Sequence, residues 1–240
     1  MNASLPFRKD QMNSIHSSAV VAAEVELGEG NVIGPGVVLL GPLTVGDGNW
    51  FGAHTVIGAP AEIRGIDHGA AWDGQTVGTG ITIGNGNVFR EYVTIHQGHY
   101  DRTVVGDDCY LMNKVYIGHD GHLGDGVTMA SSVTCGGHVH VGSGANLGMK
   151  TVVHQRRRIG PGAMVGMGSV VTRDLPPYAK AYGNPCRVRG ANTVGMERSG
   201  LPVEAVQFVA SAYDSGTVPD AGEPAELRTA WDWWRAGASA

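Results

Sequence analysis

VGDDCY LMNKVY IGHDGH LGDGVT MASSVT CGGHVH VGSGAN LGMKTV VHQRRR IGPGAM VGMGSV, residues 105–170, closed by Val171, is the stretch that decides the fold. Cut into sixes, every block opens on an aliphatic residue, or on Met129 or Cys135. The leaders are Val105, Leu111, Ile117, Leu123, Met129, Cys135, Val141, Leu147, Val153, Ile159, Val165 and Val171. A six-residue period with small residues behind the aliphatic one marks a parallel β-helix. Three hexads make one triangular coil, so residues about eighteen apart stack one strand spacing, roughly 4.8 Å, above each other. His119, His138 and His154 each fall in the third hexad of their coil. His96 falls in the hexad led by Ile95, once about four residues of the Gln97–Val104 loop are set aside. Four imidazoles on one edge of a rigid prism form a candidate site.

Outward from this block, the same phase runs through Ile15, Val21, Leu27, Ile33, Leu39, Val45, Phe51 and Ile57. It stops at a glycine-rich, mixed-charge segment, resumes at Ile83, Phe89 and Ile95, and breaks again after His96. The expected organisation is an N-terminal extension over 1–14, a β-helix over 15–176 with loops at 59–80 and 97–104, and a C-terminal turn and α-helical region over 177–240. The Pro176-Pro177 pair is expected to end the coil. Helical spacing runs over Val203–Ala212 and Glu223–Ala236, joined by a Pro/Gly-containing linker. Trp231, Trp233 and Trp234 crowd the last helix, which is expected to pack back on the prism or on a neighbouring subunit.

Composition agrees with a repeat solenoid: 38 Gly but only 4 Phe in 240 residues. With 16% charged residues and a net charge of −5, nothing suggests a nucleic-acid partner. Residues 1–13 carry no apolar run, so neither a signal peptide nor a membrane span is expected, and the location read from this is cytoplasmic. The three cysteines lack CxxC spacing and read as reduced and structural. No metal constellation is assigned. His16, His54, His68, His99, His122 and His140 read as ordinary surface residues. The flat, weakly charged faces of such a prism are buried by association, and threefold closure suits a triangular body, so a homotrimer is expected.

Arg90-Glu91-Tyr92-Val93-Thr94-Ile95-His96, Ile117-Gly118-His119-Asp120, Gly136-Gly137-His138-Val139, Val153-His154-Gln155, Asp174-Leu175-Pro176-Pro177-Tyr178 and Gly183-Asn184 followed by Arg189-Gly190 occur in this order over Ile15 to Ala205. In these strings the chain resembles the UDP-N-acetylglucosamine O-acyltransferase family of lipid A biosynthesis, within the hexapeptide-repeat acyltransferases. The resemblance implies an all-β, left-handed parallel β-helix, trimeric, with sites in clefts between subunits. It implies no bound cofactor, and transfer of an acyl group from acyl carrier protein or coenzyme A thioester to a nucleotide-sugar hydroxyl or amine. His119 takes the role of general base, a task suited to a group that titrates near neutral pH. Asp120 fixes its tautomer, and the Gly137 amide receives the oxyanion. Substrate contacts carried over are His138, His154 and Gln155 to the sugar and its phosphates, and His96 to the cleft floor. Asn192 and Arg198 fall at the nucleotide end, with Glu62 as a sugar contact and Arg64 as a phosphate contact.

The chain departs from the family at Tyr116, where a further histidine is usual, at Ala61 in place of a glutamine, and at Ser199 in place of a second arginine. Met167 stands where the family gauges acyl length. A methionine there closes the groove, and each excluded methylene costs about 0.8 kcal/mol of burial, so a short or medium acyl group is expected. Arg156-Arg157-Arg158 reads either as a patch for acyl carrier protein or coenzyme A phosphates or as a solvated corner. The rival reading is a coenzyme A-dependent acetyltransferase for another sugar or small amine. A zinc carbonic anhydrase, which needs three converging histidines, fails at Gly124. A non-catalytic prism leaves His119, Asp120 and Gly137 unexplained.

Overall fold

The structure, a computed structural model, describes residues 12–66, 78–219 and 222–237. Most of the expected N-terminal extension and the middle of the first loop, with His68, lie outside those residues. Short strands, mostly of two or three residues, stack in three parallel faces. Among the described residues face 1 has ten strands, from Ser14–Ile15 to Arg187–Ala191; face 2 has eight, from Val20–Val21 to Val170–Val171; face 3 has seven, from Val25–Leu27 to Arg158–Ile159. The ladders pair residues eighteen apart, as in Ile117 with Cys135 and Cys135 with Val153. Ile95 pairs with Ile117, which is eighteen plus the four residues allowed for the loop.

Most hexad leaders are the last residue of a strand, Ile57 and Ile95 being followed by further strand residues, and beyond the first coil they point inward. From Ile33 to Val171 none is more than 2% exposed. Four positions on, a second small residue also turns inward at the corner: Val37, Thr55, Val93, Val115, Val133, Ala145 and Ala163 are all buried. Most corners between them place one residue in the left-handed region, three after the leader. Glycine supplies it at Gly126, Gly144 and Gly162, whereas Asp120 (φ 56°), His138 (φ 58°) and Arg156 (φ 61°) do so with a side chain. At the corner between faces 3 and 1 the second inward position carries Asn31, Asn49 and Asn87. Each side-chain oxygen accepts the amide of the next coil, at 2.9, 2.9 and 2.8 Å, so buried polar groups are paired along the axis. Burial pushes the Cys109 and Cys135 thiols up to about 12, which fits inert reduced cysteines.

The Pro176-Pro177 pair does not end the solenoid, contrary to the boundary expected at 176. Leu175 still bridges Ile159, the prolines occupy the next corner, and Ala179–Tyr182 joins face 1 parallel to Met164–Val165. On face 3 the residue after each leader donates its amide to the coil above, as Gly160 does to the Leu175 carbonyl; among the described residues no further coil of face 3 follows Leu175, so proline at 176 removes no ladder bond. Arg187–Ala191 then turns back antiparallel. Three helices follow: α1 (Thr193–Arg198), α2 (Val203–Asp214) and α3 (Arg228–Ala236), the last entered through a 3-10 turn at Ala225–Leu227. Ala179, Met196, Ala205, Val209, Leu227 and Trp231 form their shared core. Among the described residues no helix is long and apolar enough to cross a membrane.

α3 is held on face 3 by one arginine. The Arg158 guanidinium donates to the Trp234 carbonyl at 2.8 Å and the Trp233 carbonyl at 2.6 Å, and stacks 4.1 Å over the Trp233 ring. It thus caps the carbonyl end of the helix, where a cation is favoured. Arg158→Ala should destabilise the C-terminal region by about 2 kcal/mol, the scale of charge-assisted hydrogen bonds, and expose tryptophan. A red-shifted emission with an earlier thermal transition checks this. The arginine triplet is therefore not one patch: Arg157 pairs with Asp174 at 3.3 Å, Arg158 holds α3, and Arg156 alone sits on the open corner.

Candidate active site

The corner between faces 2 and 3 carries the histidines, but in staggered register. Counting from the buried leader, His96 and His154 stand one residue on, His119 two, and His138 three. The residues in register with His119 are Gln97 and Gly137 in the adjacent coils and Gln155 one coil beyond Gly137. The four imidazoles share an edge without forming a single column. His119 and His138 meet edge to face, centroids 5.0 Å apart. His96 instead bonds the Pro60 carbonyl at 2.7 Å, with Glu62 at 3.5 Å. His154 is exposed, its Nδ1 3.0 Å from the Gln155 carbonyl.

His119 Nδ1 lies 2.5 Å from Asp120 Oδ2, and the Asp120 side chain is 1% exposed. The other carboxylate oxygen, Oδ1, accepts the amides of His99, Tyr100 and Asp101 at 3.0, 2.8 and 2.7 Å. Burial pushes the Asp120 carboxyl up, but these hydrogen bonds, led by Asp101 and His119, together outweigh it and hold the group below the usual carboxylate range. The anion therefore contributes stability at neutral pH that is lost only as pH falls through that lowered value. A carboxylate without a proton makes His119 donate from Nδ1, which leaves Nε2 with a free lone pair. His138 Nε2 stands 3.6 Å from the same Oδ2. Burial lowers His138, with Asp120 opposing and Arg156 assisting, so it is neutral at physiological pH.

Nε2 faces Gly137, one coil away. A Cβ on Gly137 would lie 2.6 Å from Nε2 and 2.7 Å from Cε1, so only glycine leaves the imidazole in place. Among the described residues the Gly137 amide has no hydrogen-bonded acceptor. A free donor beside a free base is what attack on a carbonyl needs: one takes the proton, the other the developing negative charge. His119, Asp120 and His138 also place a possible ligand atom each within 4.8 Å of one another, a grouping the sequence reading, which assigned no metal, missed. With Oδ1 saturated by three amides and Oδ2 bonded to His119, acid–base work suits these lone pairs better than metal ligation.

The other expected contacts lie elsewhere on the chain. Met167 is on the corner between faces 1 and 2, 69% exposed. The Asn192 side chain caps α1 through Gly195 and donates to the Gly162 carbonyl at 2.9 Å. Arg198 is exposed in the last turn of α1. Arg64 stands in the described start of the first loop. Sequence reasoning missed the loop amides on Asp120. Gly98-His99-Tyr100-Asp101 carries one weak signal, since a Cβ on Gly98 would strike the Asp101 carbonyl and prevent the tight turn.

A parallel β-helix with an oriented imidazole beneath a free glycine amide is a hexapeptide-repeat acyltransferase. The chain is 37% identical over 217 residues to the acyl-acyl carrier protein:UDP-N-acetylglucosamine O-acyltransferase of Thermodesulfovibrio yellowstonii, covering 84% of this chain and 83% of that one. It is 47% identical over 196 residues to the same-named enzyme of Tolumonas auensis, covering 80% and 72%. The UDP-N-acetylglucosamine acyltransferase structure from Campylobacter jejuni superposes with a TM-score of 0.77 at 27% identity, over 85% of this chain and 79% of that one. A family model described as UDP N-acetylglucosamine O-acyltransferase, domain 2, matches residues 174–215. The chain belongs to the UDP-N-acetylglucosamine O-acyltransferase family.

Proposed function

We propose that this enzyme transfers a short or medium acyl group from an acyl carrier protein thioester to a hydroxyl of UDP-N-acetylglucosamine, in the cytoplasm, at clefts between the subunits of a homotrimer. The observation that carries the reading is His119, oriented by Asp120, with its Nε2 packed on the side of Gly137 that a Cβ would occupy. The acceptor oxygen attacks the thioester carbon while His119 Nε2 takes its proton. The Gly137 N–H holds the oxyanion of the tetrahedral intermediate. Collapse re-forms the carbonyl and breaks the C–S bond, and the departing sulfur takes the proton from His119. His138, His154, Gln155, His96 and Glu62 line the acceptor end, and Arg64 meets its phosphates. Met167 limits the acyl chain, while Asn192 and Arg198 receive the nucleotide.

The position of Met167 supports the intersubunit site. It lies on a different corner of the prism from His119, so a groove using both needs the neighbouring copy. The test is a panel crossing acetyl, decanoyl and 3-hydroxyacyl thioesters, each on coenzyme A and on acyl carrier protein, with UDP-N-acetylglucosamine and its 3-amino analogue. Turnover confined to coenzyme A donors, or to other acceptors, overturns the reading, as does a monomeric mass by light scattering. In the same panel Met167→Gly should shift the preferred donor to longer chains, by roughly tenfold or more in kcat/KM per pair of methylenes at about 0.8 kcal/mol each. An unchanged chain-length profile removes Met167 from that role.

A further inference from the structure

Tyr100 is 70% exposed although its own amide is bonded to a buried carboxylate. A single exposed aromatic residue is unremarkable by itself, but this one is fixed on every side. Its amide and those of His99 and Asp101 converge on Asp120. The Asp101 carbonyl accepts the Thr79 hydroxyl at 2.5 Å, and the Asp101 carboxylate stands 3.6 Å from His122 Nε2. The Tyr100 ring stacks on His138 with centroids 5.8 Å apart and planes at 27°, and meets His99 edge-on at 4.6 Å. His138 in turn meets His119 at 5.0 Å. A flat π-face is thus held out to solvent two ring contacts from the imidazole that faces Gly137. Its orientation is already paid for by folding.

The geometry points to Tyr100 as a stacking platform for the pyranose ring of the acceptor. The inference rests on the nucleotide-sugar reading above and adds a subsite to it. A hydroxyl that gives its proton to His119 lies about 3 Å from Nε2, so the ring bearing it falls beside His138 and within reach of Tyr100. The nucleobase is kept away by the diphosphate, and an acyl chain has no flat face to offer. A pyranose presents a face of C–H bonds, which the negative face of an aromatic ring attracts. His138 and the Asp101 carboxylate supply the polar rim for its hydroxyls.

Calorimetry of UDP-N-acetylglucosamine and of UDP alone, on the wild type and on Tyr100→Ala, Tyr100→Leu and Tyr100→Phe, tests the inference. Affinity for the sugar nucleotide should fall roughly tenfold in the Ala and Leu variants, with UDP affinity within about twofold and the Phe variant near wild type. Acceptor KM should rise in parallel, while donor KM and oligomeric mass stay unchanged. Equal losses for UDP, wild-type affinity in the Leu variant, or no loss in either would overturn the assignment. A wild-type protein that gains no affinity from the sugar over UDP would instead overturn the acceptor reading, before any variant is compared.

Discussion

His119→Ala should lower kcat by about 10³-fold, within the range general acid–base catalysis supplies, with acceptor and donor KM little changed. The side chain is 15% exposed, and its contacts are Asp120, His138 and the face of Gly137. None belongs to the hydrophobic interior, so the melting temperature should stay within a few degrees of wild type. Residual turnover would come from the Gly137 amide and from bound-state proximity. Steady-state thioester consumption with UDP-N-acetylglucosamine, alongside a melting curve, settles the point. Retained kcat in a folded variant would retire His119 as the base.

Gly137→Ala should also cost at least about 10²-fold in kcat, by a different route. Gly137 does not have a positive φ, so alanine is acceptable to the backbone. What it cannot accept is the imidazole, whose Nε2 and Cε1 would be under 3 Å from the new Cβ. Because the obstructing atoms are the end of a side chain, the ring swings aside and the fold survives. The swing breaks the alignment with Asp120, and a displacement of about 1 Å at a reacting group can cost 10²-fold. The methyl group also crowds the approach to the amide that receives the oxyanion. The check is kcat together with the His119 imidazole resonances, which should move in the variant. Wild-type activity in Gly137→Ala would show that the amide and ring are not used together.

The hexad leaders were legible because burial repeats: one inward side chain every six residues leaves a phase that no turn can hide, and among the described residues only the first coil, with Ile15 49% exposed, lacks a covering layer. His119, Asp120 and Gly137 were legible through the resemblance, and the structure brings them together. The stagger of the other histidines was not, because a strand register fixes leaders while leaving corner residues free to differ by one or two places. Nor was the left-handed φ of Asp120 or His138, since residues as unlike as Tyr92, Lys114 and Ser132 adopt it at equivalent corners. The arginine run looked uniform in sequence, yet neighbouring places at a corner point in different directions, so Arg156 is exposed, Arg157 reaches Asp174 and Arg158 reaches α3. Pro176-Pro177 misled because they fall where, among the described residues, face 3 has no further coil to receive their missing amides, while face 1 still gains a strand.

The three amides that charge-stabilise Asp120 belong to the segment that presents Tyr100. A change of length or sequence there, made to admit a different acceptor, would also disturb the carboxylate that orients His119. Evolution of selectivity in this enzyme is therefore tethered to its turnover, and altered specificity should arise more readily from the corner bearing Met167, where among the described residues no main-chain donor reaches Asp120.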